Sequence, residues 1–501
     1  MQQVATRATN GSETIDAAGR HLRVVVIGGG MAGLLSVIRL RQLGFHDVTV
    51  YEKADRLGGT WRDNTYPGIA CDVPSHLYSY SFAPNPDWSH VFSPGAEIHA
   101  YLDDVALRYG VLDSFVFGTE VKKLEFAAGR WHITISAERH DVADIIIAAT
   151  GVLHHPNYPD ILGIETFTGQ LFHSARWDHT ASLDNRRVGI IGTGSSAVQI
   201  VGAIVERVAE LHLFQRTPQW ILPMDNLPIS DDDKGRYHAH PDEMAATRAH
   251  LAQTFSDTFS SAVIDATSPL LKVIEDLCRN NLEQNVSEPE LRERLRPTYQ
   301  VGCKRLVVAP SFYQAISHPH AHLITEQIAG IEPEGVRTLD GQLHEVDVLV
   351  LATGFRVDRF LRPIEVIGAD GIRLDDVWSQ RPSAYLSISI PGFPNLFMLN
   401  GPNGPVGNFS LIDVAELQFD YIMQLLEPVL AGRYRYVAAT TTATERFESE
   451  RTEAATKTVW MTGCRSWYLD DRGIPSAWPW TMDRFRQVMS SPTLDDFEFL
   501  N

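Results

Sequence analysis

Two glycine-rich turns, each set between an apolar strand and a helix, constrain this chain more than any other feature. The first, Gly28-x-Gly30-x-x-Gly33, follows the run Leu22 to Ile27. The second, Gly192-x-Gly194-Ser195-Ser196-Ala197, follows Val188 to Ile191. In that context the glycines allow a tight bend, close backbone approach to a pyrophosphate and packing of helix on strand, so each turn predicts a dinucleotide site. A longer phrase repeats as well: Asp144, an apolar strand and Ala149-Thr150-Gly151 recur as Asp347, an apolar strand and Ala352-Thr353-Gly354. The repeat predicts a duplicated core, an α/β fold with two Rossmann-like dinucleotide-binding domains.

The two sites differ at the end of their second strand. Glu52 stands 19 residues beyond Gly33, where a carboxylate accepts hydrogen bonds from ribose hydroxyls and repels a 2'-phosphate, so the first site suits FAD or NAD. The second carries Arg216-Thr217 there. A guanidinium pairs with a 2'-phosphate in bidentate fashion, which selects NADPH over NADH. Two nucleotide cofactors in one chain imply electron transfer between them.

Between the two turns lie two further motifs. Gly58-Gly59-Thr60-Trp61 leads through Tyr66-Pro67-Gly68 to Asp72; the glycines permit close backbone approach to a flat ring system, the Tyr-Pro-Gly turn brings Asp72 back toward it, and Gly59, Thr60, Trp61, Tyr66 and Asp72 are read as cofactor-binding. Phe167-x-Gly169-x-x-x-His173-x-x-x-Trp177-Asp178 immediately precedes the second turn and reads as the link between domains. Downstream, Lys304-Arg305 opens an apolar run, and the Asn400 loop precedes a helical pattern from Asp413 to Leu426, whose N-terminal end can face a flavin's pyrimidine edge. Trp460, Trp467, Tyr468, Trp478 and Trp480 predict an aromatic cluster, chiefly core.

Composition narrows the function classes. The formal charge of −19 argues against nucleic acid, which needs clustered Lys and Arg. No apolar run approaches a membrane span, and residues 1–20 lack a signal-peptide pattern, so a cytoplasmic protein is expected. Cys71, Cys278, Cys303 and Cys464 are dispersed without a C-x-x-C pair, and all four are read as reduced thiols. His318, His320 and His322 alternate, but with Pro319 among them and no acidic ligand close in sequence they are read as an exposed strand edge, with no metal site. The expected organisation is a disordered start over 1–20, an FAD domain from 21–155 and 361–501, an NADPH domain from 156–224 and 301–360, and a helical insertion over 225–300.

These motifs resemble those of type I Baeyer-Villiger monooxygenases, over about residues 23–485. Phe167 to Asp178 fits the family's F-x-G-x-x-x-H-x-x-x-W-[P/D] fingerprint, and Gly58 to Asp72 fits its G-G-x-W-x-x-x-x-Y-P-G-x-x-x-D pattern. The resemblance implies FAD and NADPH as cofactors and insertion of one oxygen atom from O2 beside a ketone carbonyl, through a C4a-peroxyflavin, to give an ester or lactone. It further implies that Arg305 is the active-site arginine with Asp72 as its partner, that Lys304 joins Arg216 and Thr217 at the NADPH phosphate, and that His173 belongs to a linker coupling domain rotation to catalysis. The related N- or S-oxygenating flavin monooxygenases are the alternative; they usually end the histidine motif in Tyr, where Trp177 stands here.

Overall fold

The computed structural model describes residue 19, residues 21–407 and residues 409–501, so the expectation for residues 1–20 falls, Gly19 apart, outside the described residues. Val24–Ile27 is buried along its whole length and pairs in parallel with Val48–Tyr51 and with Ile145–Ala148. Strands covered on both faces are apolar without alternation, as Val24–Ile27 and Ile145–Ala148 are. The sheet runs in the order Leu396–Met398, Ile145–Ala148, Val24–Ile27, Val48–Tyr51, Phe115–Val116. A second five-stranded sheet runs Gln170–His173, Val348–Leu351, Arg187–Ile191, Glu210–Phe214, Ala321–Ile324. Both are parallel throughout.

The repeated Asp, strand, Ala-Thr-Gly phrase has a structural cause. In each sheet that strand lies beside the one feeding the glycine turn. At its base the Asp accepts a backbone N–H from the neighbouring strand's start: Arg23 donates to Asp144 at 2.9 Å and Arg187 to Asp347 at 2.9 Å. At its top the alanine carbonyl closes on the turn. A Cβ on Gly28 would lie 2.5 Å from the Ala149 oxygen, and one on Gly192 would lie 2.3 Å from that of Ala352, with both glycines at positive φ. Only glycine fits there.

The chain leaves the first sheet after Ile145–Ala148, builds the second, and returns to add Leu396–Met398 at the first sheet's edge. Helices Asp231–Ala239, Pro241–Phe255, Pro269–Asn285 and Pro289–Arg294 interrupt the second sheet between its fourth and fifth strands. Arg248 docks this insertion, donating to the carbonyls of His76, Leu77 and Ser79 at 3.2, 2.9 and 2.7 Å and pairing with Asp413. It thereby covers the loop that follows Asp72.

Two expectations are corrected. Cys303 and Cys464 form a disulfide, with Cα atoms 6.2 Å apart, while Cys71 and Cys278 are free and buried. A partner 161 residues away leaves no spacing signal, so the absence of a C-x-x-C pair was no guide. The alternating histidines do not share one extended segment either. Only Ala321–Ile324 is strand, His320 turns to the Val205 carbonyl at 2.7 Å, and His322 lies in register beside His212 of the neighbouring strand.

Candidate active site

The first glycine turn is braced from within. Glu52, 4% exposed, accepts the Gly29 N–H at 2.7 Å and the Ala54 N–H at 2.8 Å and pairs with Arg62 at 3.1 Å. This carboxylate holds the turn's backbone in place. Gly59 packs on the same turn, where a Cβ would meet the Gly30 Cα at 3.0 Å. Thr60 is exposed at the start of a one-turn helix, whereas Trp61 is buried and donates Nε1–H to the Tyr78 hydroxyl at 3.2 Å.

Near the start of helix Leu411–Leu430, four buried polar atoms lack partners: Asn400 Oδ1, Asn403 Oδ1, Ser410 Oγ and Gln418 Nε2. The Asn400 N–H donates to Gln418 Oε1 at 2.7 Å, which joins two of them. An unsatisfied buried polar group costs about 1–3 kcal/mol. Donors and acceptors left open together beside a helix N-terminus fit the polar edge of a flavin ring, so the residues present match FAD.

Arg305 and Asp72, 233 positions apart in sequence, meet between the two domains. Nη2 and Nε of Arg305 donate to Asp72 Oδ2 at 2.7 and 3.2 Å. Burial works against the guanidinium charge, but Asp72 beside it more than compensates and its pKa is raised. Nη1 makes no hydrogen bond among the described residues, and the side chain keeps 21% of its surface exposed. A permanently cationic donor is thus held with its orientation already set and Nη1 uncommitted among the described residues.

The second glycine turn is built to receive a ligand. A Cβ on Gly194 would meet nothing within 4 Å, and Ser195 and Ser196 open the helix Ser195–Ile204, whose N-terminal N–H groups suit an anion. Thr217 caps the turn through its carbonyl, which accepts from Thr193 Oγ1 at 2.7 Å. Arg216 is exposed and lies near Lys304, whose pKa is lowered first by burial and then by that neighbouring charge. Among the described residues neither forms an ion pair; Lys304 lies over the Tyr299 ring at 5.2 Å. Two adjacent cations without a carboxylate are a site for an anionic group.

Tyr66 bridges the domains. Its hydroxyl donates to Gln199 Oε1 at 2.9 Å and accepts from Ser196 Oγ at 3.1 Å, both on the helix of the second turn. Burial pushes its pKa up to about 12. Tyr66, read from sequence as cofactor-binding, places its hydroxyl on the helix that opens the second cofactor turn.

The Phe167 to Asp178 motif forms the edge strand Gln170–His173 of the second sheet and the turn after it. Gly169 is required by space, since a Cβ would lie 2.4 Å from the Asp347 oxygen and 2.6 Å from the Phe167 ring. His173 is fully buried, accepts the Ala175 N–H at 3.1 Å, and has its pKa lowered to about 4 by burial. Trp177 packs edge-on against Phe172, and Asp178 accepts from Thr180. The motif thus builds a sheet edge and the turn that leaves it.

Glu210, His212 and His322 bring possible metal-ligand atoms within 4.8 Å of one another, so an acid does stand near the histidines, contrary to the sequence expectation. Yet His212 Nε2 already faces Glu210 Oε2 at 3.1 Å, and Nδ1 is buried without a partner. A metal on Nε2 would leave that Nδ1–H without the acceptor that metal-bound histidines use. The trio is a hydrogen-bonded pair with an exposed neighbour.

Sequence reasoning missed Tyr78, Asn403, Ser410 and Gln418, which no fixed spacing signals. It also grouped aromatics that separate in space. Trp467 stacks on Tyr468 at 4.1 Å, and Tyr468 packs on Trp460 at 5.1 Å beside Arg305, whereas Trp478, Trp480, Phe447 and Phe485 form a separate core.

A family model described as "Flavin-binding monooxygenase-like" matches residues 21–231. A Baeyer-Villiger monooxygenase of Streptomyces coelicolor is 38% identical over 486 residues, covering 96% of this chain and 93% of the relative. The NADP+-bound crystal structure of cyclohexanone monooxygenase from Rhodococcus sp. Phi1 superposes with a TM-score of 0.86 at 28% identity, covering 96% of this chain and 99% of that one. OTEMO in complex with FAD and NADP superposes at 0.85 with 26% identity, covering 95% and 99%.

Proposed function

Because this chain belongs to the Baeyer-Villiger flavoprotein monooxygenases, which use FAD and NADPH, we propose that Arg305, held by Asp72, is the cation that receives a ketone substrate. The single observation carrying this reading is the orientation of Arg305: two of its donors are fixed on Asp72 while Nη1 is left open at the junction of the two dinucleotide domains. When bound, FAD reduced by NADPH activates O2 and supplies the oxygen atom inserted beside the carbonyl.

Each of the chain's own groups has a physical task. Arg305 Nη1–H donates to oxygen as negative charge develops there, and a guanidinium cannot surrender its proton at working pH. Asp72 fixes the fork's plane, so little reorganisation is needed when charge appears. Tyr468, buried beside Arg305, walls that side and excludes water, which strengthens that interaction. Asn400, Gln418 and the helix they adjoin hold the flavin's polar edge, and Glu52 serves the turn that accepts its pyrophosphate. Arg216, Lys304 and Thr217 take the NADPH 2'-phosphate, and Gly194, Ser195 and Ser196 the pyrophosphate.

Arg305→Ala tests this reading. NADPH should still reduce the flavin at close to the wild-type rate, while ester or lactone formation falls about 10²–10³-fold, the usual loss for one donor at a developing oxyanion. Ester formation at the wild-type rate would remove Arg305 from the chemistry.

A further inference from the structure

The disulfide lies where the two halves of the site are least supported by backbone structure. Cys303, fully buried, ends a turn whose N–H donates to the Gln300 carbonyl at 3.1 Å, and Arg305 follows two residues later. Among the described residues, no backbone N–H of Lys304, Arg305 or Leu306 donates to a backbone carbonyl; regular pairing resumes at Val307. At the other end the Ser466 and Tyr468 carbonyls accept from Leu469 and Ser476 at 3.2 and 2.7 Å, but no described backbone donor is paired. From Gly463 to Tyr468 no described backbone N–H donates to a backbone carbonyl, and Ser466 Oγ is buried without a partner. Neither helix nor strand therefore sets the distance between Arg305 and the aromatic wall.

Three contacts do. Cys303 is bonded to Cys464, Tyr468 stacks on Trp467 and packs tilted against Trp460, and the Tyr468 hydroxyl lies so close to Gly407 that a Cβ there would approach it to 2.3 Å. Cys303, Cys464, Trp460 and Tyr468 belong to one buried cluster with Trp220 and Val459. Of these contacts only the cystine ties the two backbones covalently, and it does so across 161 residues of sequence. Without it the two irregular segments are held together by noncovalent packing alone.

We propose that the Cys303–Cys464 cystine is a positioning element of the oxygenation reaction: it fixes Arg305 against the buried Tyr468, and its reduction uncouples NADPH oxidation from substrate oxygenation. The proposal rests on the assignment of Arg305 as the substrate-facing cation. In the redox step a dithiol reductant attacks through one thiolate, the Cys303–Cys464 S–S bond breaks, and the reductant's second thiol displaces the mixed disulfide. Two electrons and two protons pass from the dithiol, leaving two protein thiols and a cyclic disulfide of the reductant. A wall free to move admits water beside Arg305, so activated oxygen is released as hydrogen peroxide in place of ester.

The experiment uses the FAD-loaded full chain, untreated or treated with dithiothreitol and desalted, alongside Cys464→Ser. Alkylation under denaturing conditions followed by mass spectrometry counts thiols; two are expected before reduction and four after, from the four cysteines of the sequence. Flavin reduction at saturating NADPH should be unchanged. Product formed per NADPH consumed should fall several-fold on reduction, with a matching rise in hydrogen peroxide and several-fold higher ketone KM. Reoxidation should restore coupling in the wild type and not in Cys464→Ser. Tight coupling and unchanged KM with four thiols counted would overturn the proposal, as would four thiols in the untreated enzyme. If Cys464→Ser does not fold, the reduced wild type gives the same comparison. Arg305→Ala with its cystine intact separates the two claims: normal product from that variant removes the Arg305 assignment, whereas its loss together with unchanged coupling on reduction removes the clamp alone.

Discussion

Replacing Arg216 or Lys304 by alanine should separate the two nicotinamide coenzymes by an amount that follows from their surroundings. Both cations lie together without an ion-pair partner among the described residues, so neither charge is already committed to protein. A charge-assisted hydrogen bond contributes about 1.5–3 kcal/mol, the lower end applying where solvent competes. Arg216 is exposed and belongs at about 1.5 kcal/mol, whereas half-buried Lys304 belongs nearer about 3 kcal/mol. At about 1.4 kcal/mol per decade, Arg216→Ala should lose roughly tenfold in kcat/KM for NADPH and Lys304→Ala roughly 100-fold. NADH, lacking the 2'-phosphate, should change by less than about threefold. The assay is stopped-flow reduction of the flavin with each coenzyme at low and high salt, where the Arg216 effect should shrink as screening grows. Equal losses for NADPH and NADH would refute a phosphate contact and make the pair structural.

Gly194→Ala should fold with an unchanged melting temperature, because the added methyl meets no protein atom, yet raise the KM for NADPH; Gly192→Ala should fail to fold, as its Cβ would strike the Ala352 carbonyl. A stability loss in Gly194→Ala would show that the open space is not a ligand cradle. Gly169→Ala should destabilise by at least about 1–3 kcal/mol through overpacking against Asp347 and Phe167, read from a denaturant midpoint. Acid should weaken the fold through His173 and His154, both lowered to about 4 by burial from an ordinary 6.5. Their contribution is full above pH 6.5, where unfolded and folded forms are both neutral. It is lost as pH falls toward about 4, at up to about 1.4 kcal/mol per pH unit for each proton taken up on unfolding. Stability that stays flat between pH 7 and 4.5 would contradict their buried neutral state.

The parts of the fold legible in the sequence are those set by local constraint. The glycine turns announce themselves because a Cβ cannot coexist with the alanine carbonyl opposite, and the Asp at the base of each neighbouring strand recurs because each accepts one backbone N–H. Arg305 was different: Lys-Arg before an apolar run is an ordinary surface pair until Asp72, far away in sequence, is brought against it. The disulfide was invisible for the same reason, its partners being joined by tertiary packing alone. Tyr66 was read as a cofactor residue from its motif, yet its hydroxyl is committed to Gln199 and Ser196, a choice no spacing discloses. The aromatic cluster divided because Trp467 and Tyr468 lie on an irregular segment, where periodicity carries no information about facing.

The most direct test is mass analysis of product from the FAD-loaded enzyme supplied with NADPH, 18O2 and a panel of ketones. The account predicts an ester or lactone carrying one 18O atom, formed in proportion to NADPH consumed and lost in Arg305→Ala. Hydrogen peroxide as the sole oxygen product across the whole panel, with every ketone recovered unchanged, would contradict it.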